Sequence, residues 1–131
     1  TDAGRAKWVE SLANEAGVSA AFVYKRRLSG TETQVTAISA DVKDKNVVIY
    51  DDMIRTGGSL ISAAKSYQAA GAKEISVVTT HGLFTNNALA KIEESGIIKH
   101  VICTDSHPNT LLEYNPFLKV KSIAGLIAEH I

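Results

Sequence analysis

The side chains best equipped for chemistry are gathered in one stretch. Asp51 and Asp52 stand side by side, and Arg55, Thr56, Gly57, Gly58 and Ser59 follow after Met53 and Ile54. Gly57 and Gly58 can take backbone conformations that a side chain forbids, so the chain can curl with several N–H groups pointing inward. A helical pattern begins at Ser59, and a helix start adds the positive end of its dipole. A phosphate suits that geometry, and the Thr56 and Ser59 hydroxyls can donate to it. Carboxylates repel a phosphate aimed at them but suit its neighbour. They accept hydrogen bonds from sugar hydroxyls, or hold a divalent cation through oxygen. One loop thus offers a grip on both ends of a pentose 5-phosphate. It is not the nucleotide P-loop, because no Lys follows the glycines at the required place, nor is it G-x-G-x-x-G. The plainer alternative is a polar strand end closed by an ordinary Gly-Gly turn. That accounts for a lone Asp-Asp or a lone Gly-Gly, but not for the full order of strand, acids, Thr-Gly-Gly-Ser and helix.

The flanking pattern supplies the elements that must hold these groups. Val47, Val48, Ile49 and Tyr50 form a short run of strand formers ahead of the acids. Residues 59–70 read as a helix, with Leu60, Ala63, Ala64 and Tyr67 at helical spacing and Gly71 as its stop. Such a junction puts polar groups at the C-terminal end of a strand, where open parallel sheets bind ligands. Elsewhere the pattern predicts helices over 3–16, 86–94 and 124–131, and strands over 20–24, 35–39, 75–80, 100–104 and 118–123. Strands alternating with helices predict an α/β fold, a doubly wound and mostly parallel sheet. Lys25, Arg26 and Arg27 close the first strand, and the polar stretch 28–36 reads as a mobile loop or hairpin. On their own the three cations read as a solvated turn. Asp2, just ahead of the first helix, reads as an N-cap.

The totals narrow the class. The 131 residues suit one domain with a sizeable core. Fourteen basic and fourteen acidic residues cancel, so no broad field argues for nucleic acid or a membrane surface. The only cysteine, Cys103, rules out an internal disulfide and reads as a small core residue. No run is long enough to span a bilayer, which makes the cytoplasm the expected location. His81 follows a strand, where it either faces the ligand crevice or, the favoured reading, caps a loop with a structural hydrogen bond. His107-Pro108-Asn109 is a turn signal. No zinc spacing and no G-x-S-x-G elbow occurs.

The stretch from Asp51 to Ser59 resembles the phosphoribosyl diphosphate (PRPP) binding motif of the type I phosphoribosyltransferase fold. Asp2-Ala3-Gly4, Lys25-Arg26-Arg27, Ala40-Asp41-Val42-Lys43 and Thr80-His81-Gly82-Leu83-Phe84 narrow the resemblance to the ribose-phosphate diphosphokinases, or PRPP synthetases. The likeness runs over nearly the whole chain. It implies that residues 1–131 form a single phosphoribosyltransferase-like domain, the C-terminal fragment of a two-domain enzyme whose N-terminal half is missing here. In that family, diphosphate passes from ATP to ribose 5-phosphate, giving PRPP and AMP. Carried over, Arg55 to Ser59 take the 5-phosphate, and Asp51 and Asp52 meet the ribose hydroxyls directly or through Mg2+. Lys25 and Arg27 become the catalytic cations of a closing loop, and Asp2 becomes a metal ligand. Here Thr1 stands where the family usually has Pro, and Arg55 stands where many relatives carry an acid. The Arg implies tighter binding of the sugar phosphate. The resemblance also implies a homo-oligomer, and a fragment that does not turn over alone. Two other readings share the fold: a transferase that consumes PRPP, and a non-catalytic subunit associated with the synthetase. The first needs a base-recognising segment that the sequence does not display. The second is disfavoured by the intact acids, glycines and loop cations.

Overall fold

The structure is a computed structural model that describes residues 6–27, 33–112 and 115–131. Four strands build the sheet that matters: β3 (Asn46–Ile54), β4 (Glu74–Gly82), β5 (Ile98–Thr104) and β6 (Leu118–Lys121). All neighbours are parallel, in the order β3-β4-β5-β6. This is the α/β parallel architecture that the alternating pattern predicts. A separate two-stranded antiparallel ribbon pairs β1 (Val23–Arg27) with β2 (Thr33–Ile38).

The register explains the core. Ile49, Val77, Val101 and Leu118 are successive partners across the sheet, and all four are buried. Onto that row pack α2 (Gly58–Ala69) and α3 (Ala88–Glu94). The residues read as the inner face of α2, Leu60, Ala63, Ala64 and Tyr67, are the ones that are buried. From α3 come Ala88, Leu89 and the fully buried Ile92. Burying a side chain of that size contributes about 1.5–3 kcal/mol. One row further along, the partners are Asp51, Thr79, Cys103 and Val120. The core therefore gives way to polar chemistry toward the C-terminal end of the sheet.

Several boundaries differ from the sequence pattern. The central strand does not stop at Tyr50 but continues through both acids to Ile54. Pairing with β4 persists to Met53↔His81 and Ile54↔Gly82, and Ile54 is buried, so the ladder and the core together carry the strand past the carboxylates. The first strand starts at Val23 rather than residue 20 and includes all three cations, because β2 pairs with them in a hairpin. A register break between Tyr24 and Lys25 marks a bulge there. The 86–94 helix starts at Ala88, after a 3-10 turn, Thr85–Asn87, in which Asn86 and Asn87 take left-handed angles. Asparagine tolerates that region better than most residues. The last helix is only α5 (Ala124–Ala128), and the last strand ends at Lys121. The short helix α4 (Asn109–Leu112) follows the His107-Pro108 turn and had no signal of its own length. The first helix, α1, covers Ala6–Glu15.

Candidate functional site

A cleft of about 360 Å³ lies where β3 turns into α2. Asp51, Met53, Ile54, Arg55, Thr56, Gly57, Ser59 and Leu60 line it. The strand delivers Asp51, the loop delivers Arg55 and Thr56, and the first turn of α2 delivers Ser59. Arg55, Thr56 and Ser59 are exposed, while Asp51 is half-buried.

The two glycines have different duties. Gly57 is the residue before α2 and takes φ +77°. A Cβ there would also meet Ile92 of α3 at 3.0 Å. Conformation and packing therefore both require glycine. Gly58 has no positive φ, and a Cβ on it meets nothing within 4 Å. Neither backbone angle nor packing therefore requires glycine at this position. The Ile61 N–H donates to the Gly57 carbonyl at 2.9 Å, the first helical bond. The N–H groups of the turn before it have no acceptor inside the helix, which leaves them available as donors near the cleft.

The acids are held in contact. The Asp52 N–H donates to Asp51 Oδ1 at 3.0 Å. Burial, and then a side-chain hydrogen bond with Asp52, push the Asp51 carboxyl above its usual range, against the opposing pull of that backbone N–H. Asp52 is half-buried and does not itself line the cleft, and Gly58 does not line it either. The geometry thus puts an electropositive helix start, an arginine and two hydroxyls near a carboxyl that is reluctant to ionise. That combination has the chemistry to suit an anion and, beside it, hydroxyl groups or a cation.

Of the other residues singled out in the sequence, His81 is engaged structurally. Its Nδ1 and Ser106 Oγ are hydrogen-bonded at 2.7 Å, while Ser106 and Thr104 both donate to the Thr80 carbonyl. This polar cluster at the ends of β4 and β5 was missed. Its only signal is Thr104-Asp105-Ser106 at a strand end. Cys103 is buried, and burial followed by the Asp105 charge pushes its thiol up to about 11, so it is a core residue. Thr79 Oγ1, beside Asp51 in the register, is buried without a hydrogen-bond partner among the described residues. Asp2 lies outside the described residues. The backbone of Lys25 and Arg27 belongs to β1, but their side chains lie outside what is described. Among the described residues, no three metal-ligating side chains cluster. No described helix is long and apolar enough to cross a membrane.

Comparison with known proteins completes the description. The profile of the phosphoribosyl synthetase-associated domain family matches residues 12–131. The ribose-phosphate pyrophosphokinase of Ureaplasma parvum is 37% identical over 135 aligned positions, covering 99% of this chain and 39% of that protein. The enzyme of the same name from Corynebacterium glutamicum is 39% identical, covering 99% of this chain and 40% of its own length. The crystal structure of phosphoribosylpyrophosphate synthetase from Mycobacterium smegmatis superposes with a TM-score of 0.84 at 35% identity, covering 98% of this chain and 41% of that one. The chain therefore spans about two-fifths of the length of these relatives.

Proposed function

The chain belongs to the phosphoribosyl synthetase-associated domain family, and from that premise we propose that it is the ribose 5-phosphate-binding domain of a ribose-phosphate diphosphokinase. The observation that carries the reading is the cleft at the β3–α2 junction, where Asp51 and the Arg55-to-Ser59 turn share one wall. In this reading the 5-phosphate rests on the start of α2, with the Arg55 guanidinium and the Thr56 and Ser59 hydroxyls as further donors. The sugar's 2- and 3-hydroxyls reach back to Asp51 and Asp52. Its 1-hydroxyl then faces away from the helix, toward arriving ATP. That oxygen attacks the β-phosphorus of ATP, the bond from β-phosphorus to the α,β-bridging oxygen breaks, and AMP leaves. The products are PRPP and AMP. Lys25 and Arg27 take up charge on the moving diphosphoryl group as the hairpin that begins at β1 closes. The protein's part is placement and electrostatics.

The acidic pair fits magnesium by its chemistry. Two carboxylates in contact, one of them disfavouring its own charge, are relieved by a hard cation. Magnesium is ordinarily held by one or two carboxylates, with waters and phosphate oxygens completing the shell. Asp51 and Asp52 would hold it, with Asp2 as a further ligand. Bound there, the ion would neutralise charge on phosphate oxygens.

The domain is further read as the C-terminal half of one subunit of a cytoplasmic homo-oligomer, inactive without its upstream half. Three features support a larger assembly. The relatives are much longer. An apolar groove of about 390 Å³ also runs between α1 and β3, lined by Leu12, Val18, Val47 and Val48 among others. Leu126 and Ile127 of α5 are exposed as well. The test is ATP-dependent synthesis of PRPP by the parent protein. Activity that falls at least a hundredfold in kcat on Lys25→Ala, with the KM for ribose 5-phosphate little changed, supports the reading, the drop being typical of lost transition-state charge stabilisation. A parent protein that binds PRPP but never forms it overturns the catalytic part.

A further inference from the structure

The turn after β4 is built tightly against the end of β3, and its construction concerns the phosphate loop rather than its own sheet. The Leu83 and Phe84 N–H groups both donate to the Ile54 carbonyl, at 3.0 and 3.2 Å. Ile54 is the last residue of β3, directly ahead of Arg55. From the other side, Asn109 Nδ2 donates to the Leu83 carbonyl at 2.6 Å. The Asn109 N–H is in turn held by His107 Nδ1, and the Thr110 hydroxyl by the His107 carbonyl. Phe84 is buried, yet it sits at φ +45°, ψ +45°. That is a left-handed conformation that bulky residues rarely adopt unless their surroundings impose it. Gly82 makes room for the ring. A Cβ on Gly82 would stand 2.4 Å from Phe84 Cε2, 2.8 Å from Cζ and 2.9 Å from Thr110 Cγ2.

We propose that Gly82 and Phe84 form a wedge, clamped by Asn109, that sets the position of Ile54 and with it the Arg55-to-Ser59 phosphate loop. These are positioning residues. The inference rests on the reading of that loop as the phosphate site. The wedge acts on one side of the loop, through the Ile54 carbonyl. Ile92, packed under Gly57, fixes the other side. With both ends of the turn held, the loop keeps its shape before a ligand arrives, which lowers the cost of ordering it on binding.

The experiment compares the full chain with Gly82→Ala, Phe84→Leu and the double variant, each titrated with ribose 5-phosphate and with ribose, alongside thermal melts. Gly82→Ala pushes the Phe84 ring and displaces Ile54, so ribose 5-phosphate affinity falls about tenfold, a modest figure for misplacing a binding group by an ångström or less. Ribose binding changes little. Removing the ring relieves the two closest contacts and leaves only Thr110 Cγ2 at 2.9 Å, so the double variant binds ribose 5-phosphate better than Gly82→Ala. A merely structural role weakens ribose equally. Gly82→Ala that is folded and binds ribose 5-phosphate normally overturns the proposal, and so does a double variant no better than Gly82→Ala. If Gly82→Ala does not fold, Phe84→Leu decides: a severalfold loss for ribose 5-phosphate but not ribose supports the wedge, and no loss overturns it. A wild-type chain that does not distinguish ribose 5-phosphate from ribose overturns the phosphate-site reading instead.

Discussion

Asp51 is held where its carboxyl ionises less readily than in the unfolded chain. Burial, and then the Asp52 side chain, raise its carboxyl above the ordinary carboxylate value. Its favourable contribution to folding is therefore complete below the unfolded-chain value and is lost as pH climbs through the raised folded value. At neutral pH the ionised group costs stability. Asp51→Asn accordingly raises the melting temperature at pH 7, and the gain shrinks as pH is lowered toward ~3. A melting series over that range checks this, and an equal difference at every pH contradicts it. On the proposed reading the same variant loses an acceptor for sugar hydroxyls, so stability and ligand binding should move in opposite directions. Arg55 is the second test at this scale. It is exposed on the cleft wall, where an acid would repel the phosphate. Arg55→Asp should weaken ribose 5-phosphate binding about tenfold, on the order of 1.4 kcal/mol, with ribose unaffected. Unchanged affinity in calorimetry removes Arg55 from the cradle.

At the level of elements, the junction of β3 with α2 works because α3 is packed beneath it. Gly57 is squeezed between a left-handed backbone angle and Ile92. Gly57→Ala should cost about 2–3 kcal/mol, from the conformational penalty and the displaced isoleucine together. Gly58→Ala, in open space at the helix start, should be neutral or stabilising by up to about 1 kcal/mol. Denaturant unfolding of the pair reads this out, and similar losses at both positions contradict the division of roles. The elements legible in the sequence were those with a long periodic signal. The α2 face and the buried Ile75, Val77 and Val101 follow directly from spacing. Elements fixed by partners were not legible. Nothing in Asp51-Asp52 announces a strand, yet the ladder to β4 makes it one. Nothing in Lys25-Arg26-Arg27 announces pairing with β2 either. The helix start near residue 86 was displaced by two left-handed asparagines, and α4 is too short to show a period.

For the whole molecule, one parallel sheet presents its polar row at the C-terminal end, and the cleft is built there. The loop residues of the candidate site were legible because Thr-Gly-Gly-Ser between a strand and a helix has a specific geometric meaning. The support behind them was not. The Ile54 carbonyl clamp, the Phe84 ring and the Ser106–His81 bond join residues 25 or more positions apart or depend on backbone angles. The chain spans about two-fifths of the length of its relatives, and on the proposed reading its cleft is one wall of a larger active centre. The central claim is that this wall grips a sugar 5-phosphate. Backbone amide NMR of the chain titrated with ribose 5-phosphate and magnesium, with ribose as the control, tests it most directly. The account predicts shifts clustered on Arg55 to Ser59 that require the 5-phosphate and weaken in Asp52→Asn. Shifts that ribose reproduces, that fall elsewhere, or that are absent at millimolar ligand with the domain folded contradict it.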